Sequence, residues 1–373
     1  MNEEPSPGLR PSSPDAPGEV PEAATTPMRP GLEIDAARLE PYLAQHVEGF
    51  TGPLTIRQFK GGQSNPTYLL ITPSKRYVLR RKPPGQLLAS AHAVDREFKV
   101  ISALGRHTDV PVPRAHVLCT DDAVIGTWFY VMDHVDGRIF WDPSFPDVPK
   151  AERRAHSFAL CDGLARLHRV RPADAGLADY GKPTGYLSRQ IARFSKQYTE
   201  DTAGGRVESM ERLIEWLPRN VPAHEPPAAV VHGDYRADNA IFHPTEARVV
   251  AILDWELSAL GDPLADFAYH LMVYRLPTLS IPMLGGADVE ALGLPSEQEY
   301  LTHYEQVTGF QIDRRDLEFY LAFSMFRLGG IFHGIRSRVV RGTAVSAEAR
   351  RYASFTDTIC DVAWAQAQRA SHL

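Results

Sequence analysis

Two short apolar runs, each followed by an acidic residue, decide the fold of this chain. The first stretch reads Val-Val-His-Gly-Asp-Tyr-Arg-Ala-Asp-Asn at residues 230–239, and the second reads Val-Val-Ala-Ile-Leu-Asp-Trp-Glu at residues 249–256. Both runs are too short for a typical helix and predict strands. Asp234 and Asp254 follow these strands, and Asn239 comes five residues after the first carboxylate. The sequence therefore predicts two carboxylates and one amide at one edge of a small sheet.

Phosphoryl transfer is the chemistry that uses such a trio. One Asp accepts or orients the proton of an attacking hydroxyl, while an Asn and a second Asp hold the Mg²⁺ that neutralises the phosphates of ATP. Asp234, Asn239 and Asp254 have the types and the order for these roles. The spacing from His232 through Asp234 to Asn239 is that of the protein kinase catalytic loop, with Gly233 in place of Arg. Turn formation alone would also collect Asp, Asn and Gly, but it does not require both runs and the spacing together.

Length, charge and cysteine content limit the function classes. A chain of 373 residues is long enough for two domains or lobes. The 40 Lys and Arg against 46 Asp and Glu give a net charge of −6, which argues against a general nucleic-acid binder. The three cysteines are in no paired spacing and predict neither a disulfide framework nor a zinc site. Because no membrane span or signal pattern is present, we expect a cytoplasmic protein without membrane partners, whose oligomeric state is open.

The N-terminal part predicts a small sheet with one main helix, preceded by a tail. Residues 1–30 are rich in Pro, Glu, Ser and Ala and predict a disordered or extended segment. Strands are expected over 54–59, 68–71, 76–81, 114–118 and 128–132, and helices near 34–47 and over 89–104. The predicted organisation is a tail over 1–30, an N-terminal lobe over 31–132, a hinge over 133–137 and a helical C-terminal lobe over 138–373.

Several residues of the N-terminal lobe have the chemistry to bind a nucleotide. A turn with two glycines lets backbone N–H groups approach a phosphate, although a plain hairpin would use the same residues. Glu97 falls on the inward face of its helix and needs a cationic partner, for which Arg80 is the candidate. A solvated Glu97 beside a snorkelling Arg80 is the alternative. With the hinge backbone added for an adenine edge, the predicted nucleotide-binding residues are Gly61, Gly62, Gln63, Ser64, Asn65, Arg80, Glu97, Met132, Asp133, His134 and Val135.

The remainder of the chain is mostly helical. Helices are predicted over 149–170, 183–198, 207–217, 297–307, 314–338 and 346–368, the fifth with a break near Gly329 and Gly330. A further helix is expected to start after Asp262, which caps it. Asp266, four residues on, either packs within that helix or bonds the backbone of the catalytic loop, and the sequence does not decide between the two. Mixed charges after Gly176 favour an anionic or neutral acceptor near those helices.

The two motifs resemble those of the aminoglycoside phosphotransferase and choline kinase family, whose fold is similar to that of protein kinases. The resemblance extends from about residue 32 to the C-terminus. It implies an α+β, two-lobe fold with a small antiparallel-sheet N-terminal lobe, one main helix and a larger helical C-terminal lobe. It also implies ATP and Mg²⁺ as cofactors and transfer to a small-molecule hydroxyl. In this family pattern Asp234 is the catalytic base, His232 supports the loop, and Glu97 orients Arg80 on the phosphates.

A closer similarity rests on three segments, at residues 60–68, 77–85 and 95–98. They read Lys-Gly-Gly-Gln-Ser-Asn-Pro-Thr-Tyr, Tyr-Val-Leu-Arg-Arg-Lys-Pro-Pro-Gly and Asp-Arg-Glu-Phe. These segments resemble the kinase-like domain that precedes the dehydrogenase domain of certain fused acyl-CoA dehydrogenases. That similarity implies a hydroxyacyl-CoA acceptor, hydroxylated at carbon 4, and we expect no dehydrogenase activity from this chain.

Two departures from the kinase pattern and two other functions remain open. Arg80 stands where most kinase-like enzymes have Lys, and Arg binds phosphate as a planar fork rather than a point charge. The nucleotide turn also lacks the full Gly-x-Gly-x-x-Gly pattern. An aminoglycoside, choline-like or sugar kinase is the alternative enzyme. A catalytically silent module that binds nucleotide or acyl-CoA is the second alternative, although such a module has no need of Asp234, Asn239 and Asp254 together.

Overall fold

The computed structural model describes residues 24–60, 65–83, 93–279 and 281–372, and these divide into two compact units. The first unit comprises the described residues up to Phe98 together with Arg114–His134. The second comprises Lys99–Pro113 and the described residues from Val135 onward. An antiparallel sheet dominates the first unit and helices dominate the second, which confirms the predicted α+β class.

A six-stranded antiparallel sheet forms most of the first unit. Its strands are β1 (Thr25–Thr26), β2 (Thr55–Phe59), β3 (Thr67–Ile71), β4 (Arg76–Arg81), β5 (Ala115–Cys119) and β6 (Phe129–Asp133). They are hydrogen-bonded in the order β1-β2-β3-β4-β6-β5. The five strands predicted from the sequence are all present, and their ends differ from the predicted ones by no more than one residue. The alternation of apolar and polar residues is therefore sufficient to find them.

The helices in this part of the chain are α1 (Ala36–His46), α2 (Val94–His107) and α3 (Asp122–Ile125). Asp35 caps α1 by accepting a hydrogen bond from the Ala37 N–H at 2.9 Å. Leu39 and Leu43 of α1 are fully buried in a core that includes Tyr68 of the sheet. The predicted apolar stripe of this helix is thus the face that it packs against the strands.

The predicted tail ends before residue 30. β1 pairs with β2 at the edge of the sheet, and its Thr25 is buried. Gln58 of β2 accepts a hydrogen bond from the Arg29 N–H at 2.9 Å through its side-chain oxygen. The residues from 24 to 30 are therefore structured, because the open sheet edge supplies hydrogen bonds that their composition does not reveal. Residues 1–23 lie outside the described part of the chain.

The second unit contains eight further helices and two short strand pairs among its described residues. The helices are α4 (Lys150–Arg169), α5 (Tyr186–Glu200), α6 (Glu208–Trp216), α7 (Pro263–Leu271), α8 (Glu297–Thr308), α9 (Arg314–Val340), α10 (Ala347–Ser354) and α11 (Thr356–Ser371). The strands are β7 (Ala229–Val231), β8 (Ala240–Phe242), β9 (Val249–Ile252) and β10 (Ala259–Gly261). β7 pairs with β10 and β8 pairs with β9, both antiparallel. Asp262 caps α7 as predicted, accepting from the Leu264 N–H at 2.8 Å.

The predicted break in the long helix is wrong, since α9 continues through Gly329 and Gly330. Both glycines are buried, and a Cβ at Gly329 would lie 3.0 Å from the sulfur of Cys360 in α11. A Cβ at Gly330 would lie 3.2 Å from the ring of Phe194 in α5. The two glycines therefore let α5 and α11 approach α9 closely. Each glycine lowers the intrinsic helix stability by about 1 kcal/mol relative to alanine.

The single helix predicted over 346–368 is in fact two, α10 and α11, separated at Phe355. Hydroxyl groups bond the preceding turn on both sides of this position. The Ser354 hydroxyl donates to the Arg351 carbonyl at 2.8 Å, and the Thr356 hydroxyl donates to the Ala353 carbonyl at 2.9 Å. Such hydroxyl groups compete with the backbone hydrogen bonds of a helix. The interruption therefore depends on local hydrogen bonding, which the periodicity of the apolar residues does not reveal.

Two further features concern the whole described chain. Within residues 24–60, 65–83, 93–279 and 281–372, no helix combines the length and apolar character that crossing a membrane requires. Cys119, Cys161 and Cys360 are buried and free. Burial raises the pKa of the Cys161 and Cys360 thiols, so both stay protonated at neutral pH.

Candidate active site

The ends of β7 and β9 bring the two predicted motifs together in the second unit. The loop that carries Asp234 follows β7 directly, and Asp254 stands two residues after β9. Asn239 immediately precedes β8, which pairs with β9. The Leu253 N–H donates to the Asn239 carbonyl at 2.8 Å, which fixes the amide residue beside the second acidic motif. The expectation of one edge of a single sheet is wrong, because Asp234 follows β7 in the β7–β10 sheet, whereas Asn239 and Asp254 belong to the β8–β9 hairpin.

Gly233 can only be glycine. Its φ of +85° lies in the left-handed region, and a Cβ would stand 2.8 Å from the Leu257 carbonyl oxygen. The Gly233 carbonyl accepts a hydrogen bond at 3.1 Å from the guanidinium of Arg327, a 4 % exposed residue in the middle of α9. Gly233, at the position where protein kinases have Arg, therefore forms a tight turn. Its backbone carbonyl is instead bonded by an arginine from a helix far along the sequence.

His232 is completely buried and ties three segments of the loop together. Its Nδ1 accepts from the Asp234 N–H at 3.2 Å, and its Nε2 lies 2.8 Å from the Leu253 carbonyl. This pattern requires the neutral tautomer with the proton on Nε2, because a carbonyl can only accept. The imidazole also packs on the Trp255 ring, with centroids 4.9 Å apart. His232 therefore links the loop at Asp234 to the segment that leads into Asp254.

Asp266 bonds the loop backbone, which resolves the alternative that the sequence left open. Its two carboxylate oxygens accept from the His232 N–H at 2.6 Å and the Gly233 N–H at 2.8 Å. His168, at the end of α4, contributes its Nε2 at 3.2 Å. Burial alone would raise the pKa of Asp266, but the hydrogen bond from His168 and the contributions of His232 outweigh it and lower the pKa. A buried anion on α7 therefore holds the start of the candidate catalytic loop.

Asp234 is held by groups that the sequence did not indicate. The Tyr269 hydroxyl of α7 donates to Asp234 Oδ1 at 3.0 Å, and Arg236 Nε lies 3.4 Å from the same oxygen. The Asn239 amide donates to the Asp234 carbonyl at 2.8 Å and lies 3.3 Å from Oδ2. The guanidinium of Arg327 stands over the Tyr269 ring at 5.0 Å. The carboxylate is thereby fixed in one orientation by a neutral donor, Tyr269, and by an ion pair with Arg236.

Asp254 adopts an unusual backbone conformation, with φ +64° and ψ +62°. For a residue with a side chain the left-handed region costs about 1–2 kcal/mol, although Asp and Asn tolerate it best. Strain of this kind persists where surrounding structure fixes a functional side chain. The β8–β9 hairpin before Asp254 and the 3₁₀ turn Trp255–Leu257 after it supply that constraint.

The carboxylates around this loop influence one another, and Arg236 pairs with two of them, Asp234 and Asp238. Burial raises the pKa of Asp238, Arg236 opposes the rise, and the charges of Asp234 and Asp254 add to it. Three acidic side chains therefore lie close enough to influence one another. Mg²⁺ in nucleotide sites takes one or two carboxylates, with phosphate oxygens and waters completing its shell. The oxygen donors of Asn239 and Asp254 fit that requirement.

The first unit contains the predicted pair of Arg80 and Glu97. Arg80 Nε lies 3.1 Å from Glu97 Oε2, and both side chains are largely buried, which excludes the solvated alternative. Asn65 donates to Glu97 Oε1 at 2.7 Å, and the Tyr130 hydroxyl donates to Oε2 at 2.9 Å. Asn65, predicted as a nucleotide contact, thus binds the helix carboxylate. Gly61, Gly62, Gln63 and Ser64 of the predicted nucleotide turn lie outside the described residues.

The predicted hinge begins within the sheet. Met132 and Asp133 belong to β6, and His134 and Val135 follow it. The N–H groups of Asp133 and His134 already donate to backbone carbonyls, at 2.9 and 3.3 Å. The expectation that this backbone is free for an adenine edge therefore needs correction, because the sheet uses two of its donors.

The Asp133 side chain is also engaged. Its Oδ1 accepts from His116 Nε2 at 2.6 Å and from Lys75 Nζ at 2.7 Å. Burial alone would raise the pKa of Asp133, but the hydrogen bonds from His116 and Lys75 lower it. The carboxylate therefore stabilises the end of β6 as an anion, and its Oδ1 is engaged by protein groups rather than by a nucleotide.

Five residues of the site were missed by sequence reasoning: Tyr130, His168, Arg236, Tyr269 and Arg327. Arg327 had a usable signal, since a lone cation within an apolar helix must find a partner when it is buried. The two tyrosines had none, because a tyrosine in an apolar stretch is ordinarily a core residue.

Replacing Asp266 by Ala should lower the free energy of unfolding by about 3–5 kcal/mol. The change leaves the buried N–H groups of His232 and Gly233 without their acceptor and removes the anion beside His168. Urea unfolding at neutral pH measures the difference.

Asp174→Ala is the matched control, because that carboxylate is exposed and pairs with Arg171 on the surface, where about 0–1 kcal/mol is expected. Because the pKa of Asp266 is lowered on folding, its stabilisation is full above the unfolded value of about 3.9 and is lost as the pH falls through the folded value. Equal unfolding midpoints for the two variants would show that Asp266 does not hold the loop.

A small-molecule phosphotransferase is the class that this fold and site define, with an Asp–Asn–Asp loop in a helical unit and a buried Arg–Glu pair beside an antiparallel sheet. The model of the phosphotransferase enzyme family matches residues 55–304, more than half of the chain. The chain therefore belongs to the phosphotransferase enzyme family, as the resemblance of its motifs implied.

Individual relatives agree with this assignment. A Ralstonia eutropha protein named provisionally as an aminoglycoside phosphotransferase is 45% identical, with a TM-score of 0.83 over 90% of this chain and 99% of that one. Human acyl-CoA dehydrogenase family member 11 is 40% identical over 350 residues, covering 92% of this chain. The match takes in 44% of the human protein, so the chain spans less than half of that relative.

A more distant structure shows the fold alone. Aminoglycoside phosphotransferase APH(4)-Ia, in ternary complex with AMP-PNP and hygromycin B, is 16% identical with a TM-score of 0.56. It covers 89% of this chain and 99% of its own. The predicted kinase-like fold is confirmed by these structural relatives.

Proposed function

We propose that the protein transfers the γ-phosphoryl group of ATP, with Mg²⁺, to the hydroxyl of a small-molecule acceptor. The observation that carries the proposal is the assembly of Asp234, Asn239 and Asp254 by β7 and the β8–β9 hairpin, with Tyr269 orienting the first carboxylate. When bound, ATP supplies the phosphoryl group, and Mg²⁺ offsets the negative charge of the ATP phosphates. Asn239 and Asp254 would hold the metal.

Asp234 would align the acceptor hydroxyl and take its proton on the carboxylate. A hydrogen bond from Tyr269 and an ion pair with Arg236 hold one carboxylate oxygen, so the orientation of the base is set before the acceptor binds. His232 would act on the loop rather than on the substrate, because both of its ring nitrogens are engaged with backbone groups. Most of the rate would then come from positioning and charge complementarity.

ATP is the proposed nucleotide because a structural relative of the same fold binds its analogue AMP-PNP. Arg80 would contact the phosphates, with Glu97 fixing its guanidinium. The three free thiols fit the reducing cytoplasm that we propose as its location.

A hydroxyacyl-CoA is the proposed acceptor. The support is the 40% identity to human acyl-CoA dehydrogenase family member 11, a protein named for acyl-CoA chemistry. A hydroxyl at carbon 4 of the acyl chain is the specific form we propose. An aminoglycoside, choline-like amine or sugar is the alternative acceptor, and a silent nucleotide- or acyl-CoA-binding module is the alternative without catalysis.

One incubation tests the proposal. The protein is mixed with ATP, Mg²⁺ and a set of hydroxyacyl-CoAs that differ in hydroxyl position, and mass spectrometry follows the acyl-CoAs. We expect one phosphate to be added to the 4-hydroxyacyl species. Phosphorylation of an aminoglycoside or choline in a parallel panel would replace the acceptor, and ATP binding without consumption on any acceptor would favour the silent module.

Glu97→Gln should raise the KM for ATP about tenfold or more, with the acceptor KM little changed. The amide keeps the size of the side chain but removes the charge that holds Arg80 at 3.1 Å. Initial rates at varied ATP measure the effect.

Glu48→Gln is the matched control in the same unit, since its ion pair with Arg114 is highly exposed. If Glu97→Gln and Glu48→Gln gave the same KM for ATP, the pair would have no part in nucleotide binding.

A further inference from the structure

A cavity in the second unit borders two residues that contact the candidate base. Its volume is about 290 Å³, and Tyr269 and Arg236 both line it. These are the two residues that contact Asp234 Oδ1, at 3.0 and 3.4 Å. Asp234 is not itself part of the lining, so a molecule in this cavity lies beside the two side chains that contact its carboxylate. Helix α5, the first helix after Gly176, where the sequence favoured an acceptor, contributes no residue of this lining.

The cavity wall is largely apolar. Its apolar residues include Trp141, Pro143, Val273, Ile281, Pro282 and Met283. Burying hydrocarbon against such a surface is favourable, whereas a charged sugar gains no hydrophobic free energy there. The part of an acceptor that this wall fits is therefore a chain of methylene groups.

The two carboxylates of the lining, Asp238 and Glu348, already accept hydrogen bonds from protein groups. Arg236 donates to Asp238 at 2.8 Å, and the Tyr352 hydroxyl donates to Glu348 at 2.8 Å. A polycationic acceptor needs acidic side chains that can exchange water for ammonium groups. The two carboxylates here have protein donors, so the cavity is poorly suited to a polycation.

Trp141 stands out because it is 73% exposed although it borders this cavity. Its neighbour Phe140 is buried, and the Phe140 ring lies 5.1 Å from both Phe145 and Phe242. Phe145 adopts a φ of +52°, a costly conformation for a residue with a bulky side chain. The aromatic cluster thus holds the strained turn that carries Trp141.

Arg138 fixes the other end of the same turn. Its backbone exchanges two hydrogen bonds with Phe242, at 2.9 and 2.8 Å. Its guanidinium donates to the carbonyls of His243 and Glu246, at 3.0 and 3.1 Å. Both sides of Trp141 are therefore anchored to the β8–β9 hairpin, and the indole is presented outward by a rigid support.

We propose that Trp141 is the specificity-determining residue of an acyl-chain subsite, in which it covers the methylene groups of the acceptor beyond the hydroxyl. The inference rests on the proposed function, because the cavity is assigned to the acceptor of that reaction. An indole offers a large apolar face, and burying one methylene group corresponds to about a fourfold change in Kd. Acceptors with longer chains should therefore bind more tightly, up to the capacity of the cavity.

Two unreactive probes test the subsite without turnover. Decanoyl-CoA and hexanoyl-CoA lack a hydroxyl, and their Kd values are measured by isothermal titration calorimetry. The full chain should bind decanoyl-CoA at least about tenfold more tightly than hexanoyl-CoA. Trp141→Ala should lose most of that preference, and Trp141→Phe should retain most of it.

Val345→Ala is the control, because Val345 is 72% exposed and lies outside the cavity lining. It should keep the chain-length preference of the unchanged protein. The inference is overturned if the unchanged protein shows no preference or binds neither probe, or if Trp141→Ala retains the preference. Phosphorylation of 4-hydroxyacyl-CoA despite such a result would leave the proposed function intact. A Trp141-dependent preference without phosphorylation would remove the proposed function but keep the subsite.

Discussion

Asp234→Asn should lower kcat by about 10²- to 10⁴-fold, while the affinity for ATP stays unchanged. The amide has the shape of the carboxylate and can still accept from Tyr269, whose hydroxyl lies 3.0 Å from Oδ1. It cannot take the proton of an acceptor hydroxyl, so only the chemical step is affected. Initial rates with the proposed 4-hydroxyacyl-CoA give kcat, and calorimetry with AMP-PNP gives the nucleotide affinity.

Asp174→Asn supplies the matched control for this change. The residue is exposed and pairs with Arg171 on the surface of the second unit, so rate and affinity should both match the unchanged protein. A clean Asp234→Asn protein with full activity on its true acceptor would remove Asp234 from the role of base. A parallel loss of AMP-PNP affinity would instead indicate that the loop had rearranged.

Asp254→Asn should reduce magnesium-dependent turnover at least about 10³-fold. Asn tolerates the left-handed conformation that Asp254 adopts at φ +64°, so the backbone should be retained while the negative charge is lost. Mg²⁺ titrations of turnover, and of the thermal shift produced by ATP, measure the effect. The shift should lose its dependence on Mg²⁺.

Asp254→Gly separates conformation from ligation. Glycine enters the left-handed region without strain and offers no ligand, so it should lose as much activity as Asn. If Asp254→Asn kept turnover that rises with Mg²⁺ as in the unchanged protein, Asp254 would not be a metal ligand. Activity in the Asn variant but not in the Gly variant would assign the role to the side-chain oxygen rather than to its charge.

Strands β2 to β7, strand β9 and the acidic motifs could be predicted from the sequence because their signals are local, whereas β1, β8 and β10 were not predicted. Alternating side chains found β2 to β6 within one residue at each end, and the spacing from Asp234 to Asn239 identified the loop. Arg80 and Glu97 were paired by the same kind of argument, since an inward carboxylate needs a cation. Local sequence patterns thus identified these strands, the loop from Asp234 to Asn239 and the pair of Arg80 and Glu97.

Partners that come from distant segments could not be predicted. Nothing in the apolar run of α7 indicates that Tyr269 turns its hydroxyl to Asp234, and Asp266 on the same helix remained ambiguous. The break expected at Gly329 and Gly330 was wrong because the glycines serve the approach of α5 and α11 rather than a turn. These outcomes depend on which helices meet, which is a property of the assembled unit.

The hydrogen bond from Arg327 to the Gly233 carbonyl bears on how the chain can be divided. The family match ends at residue 304, and all of the Asp–Asn–Asp motif falls within it. A fragment cut at that boundary would retain every motif residue yet lose the guanidinium that holds the turn before Asp234. The structural unit that holds this turn therefore extends into α9, beyond the end of the family match.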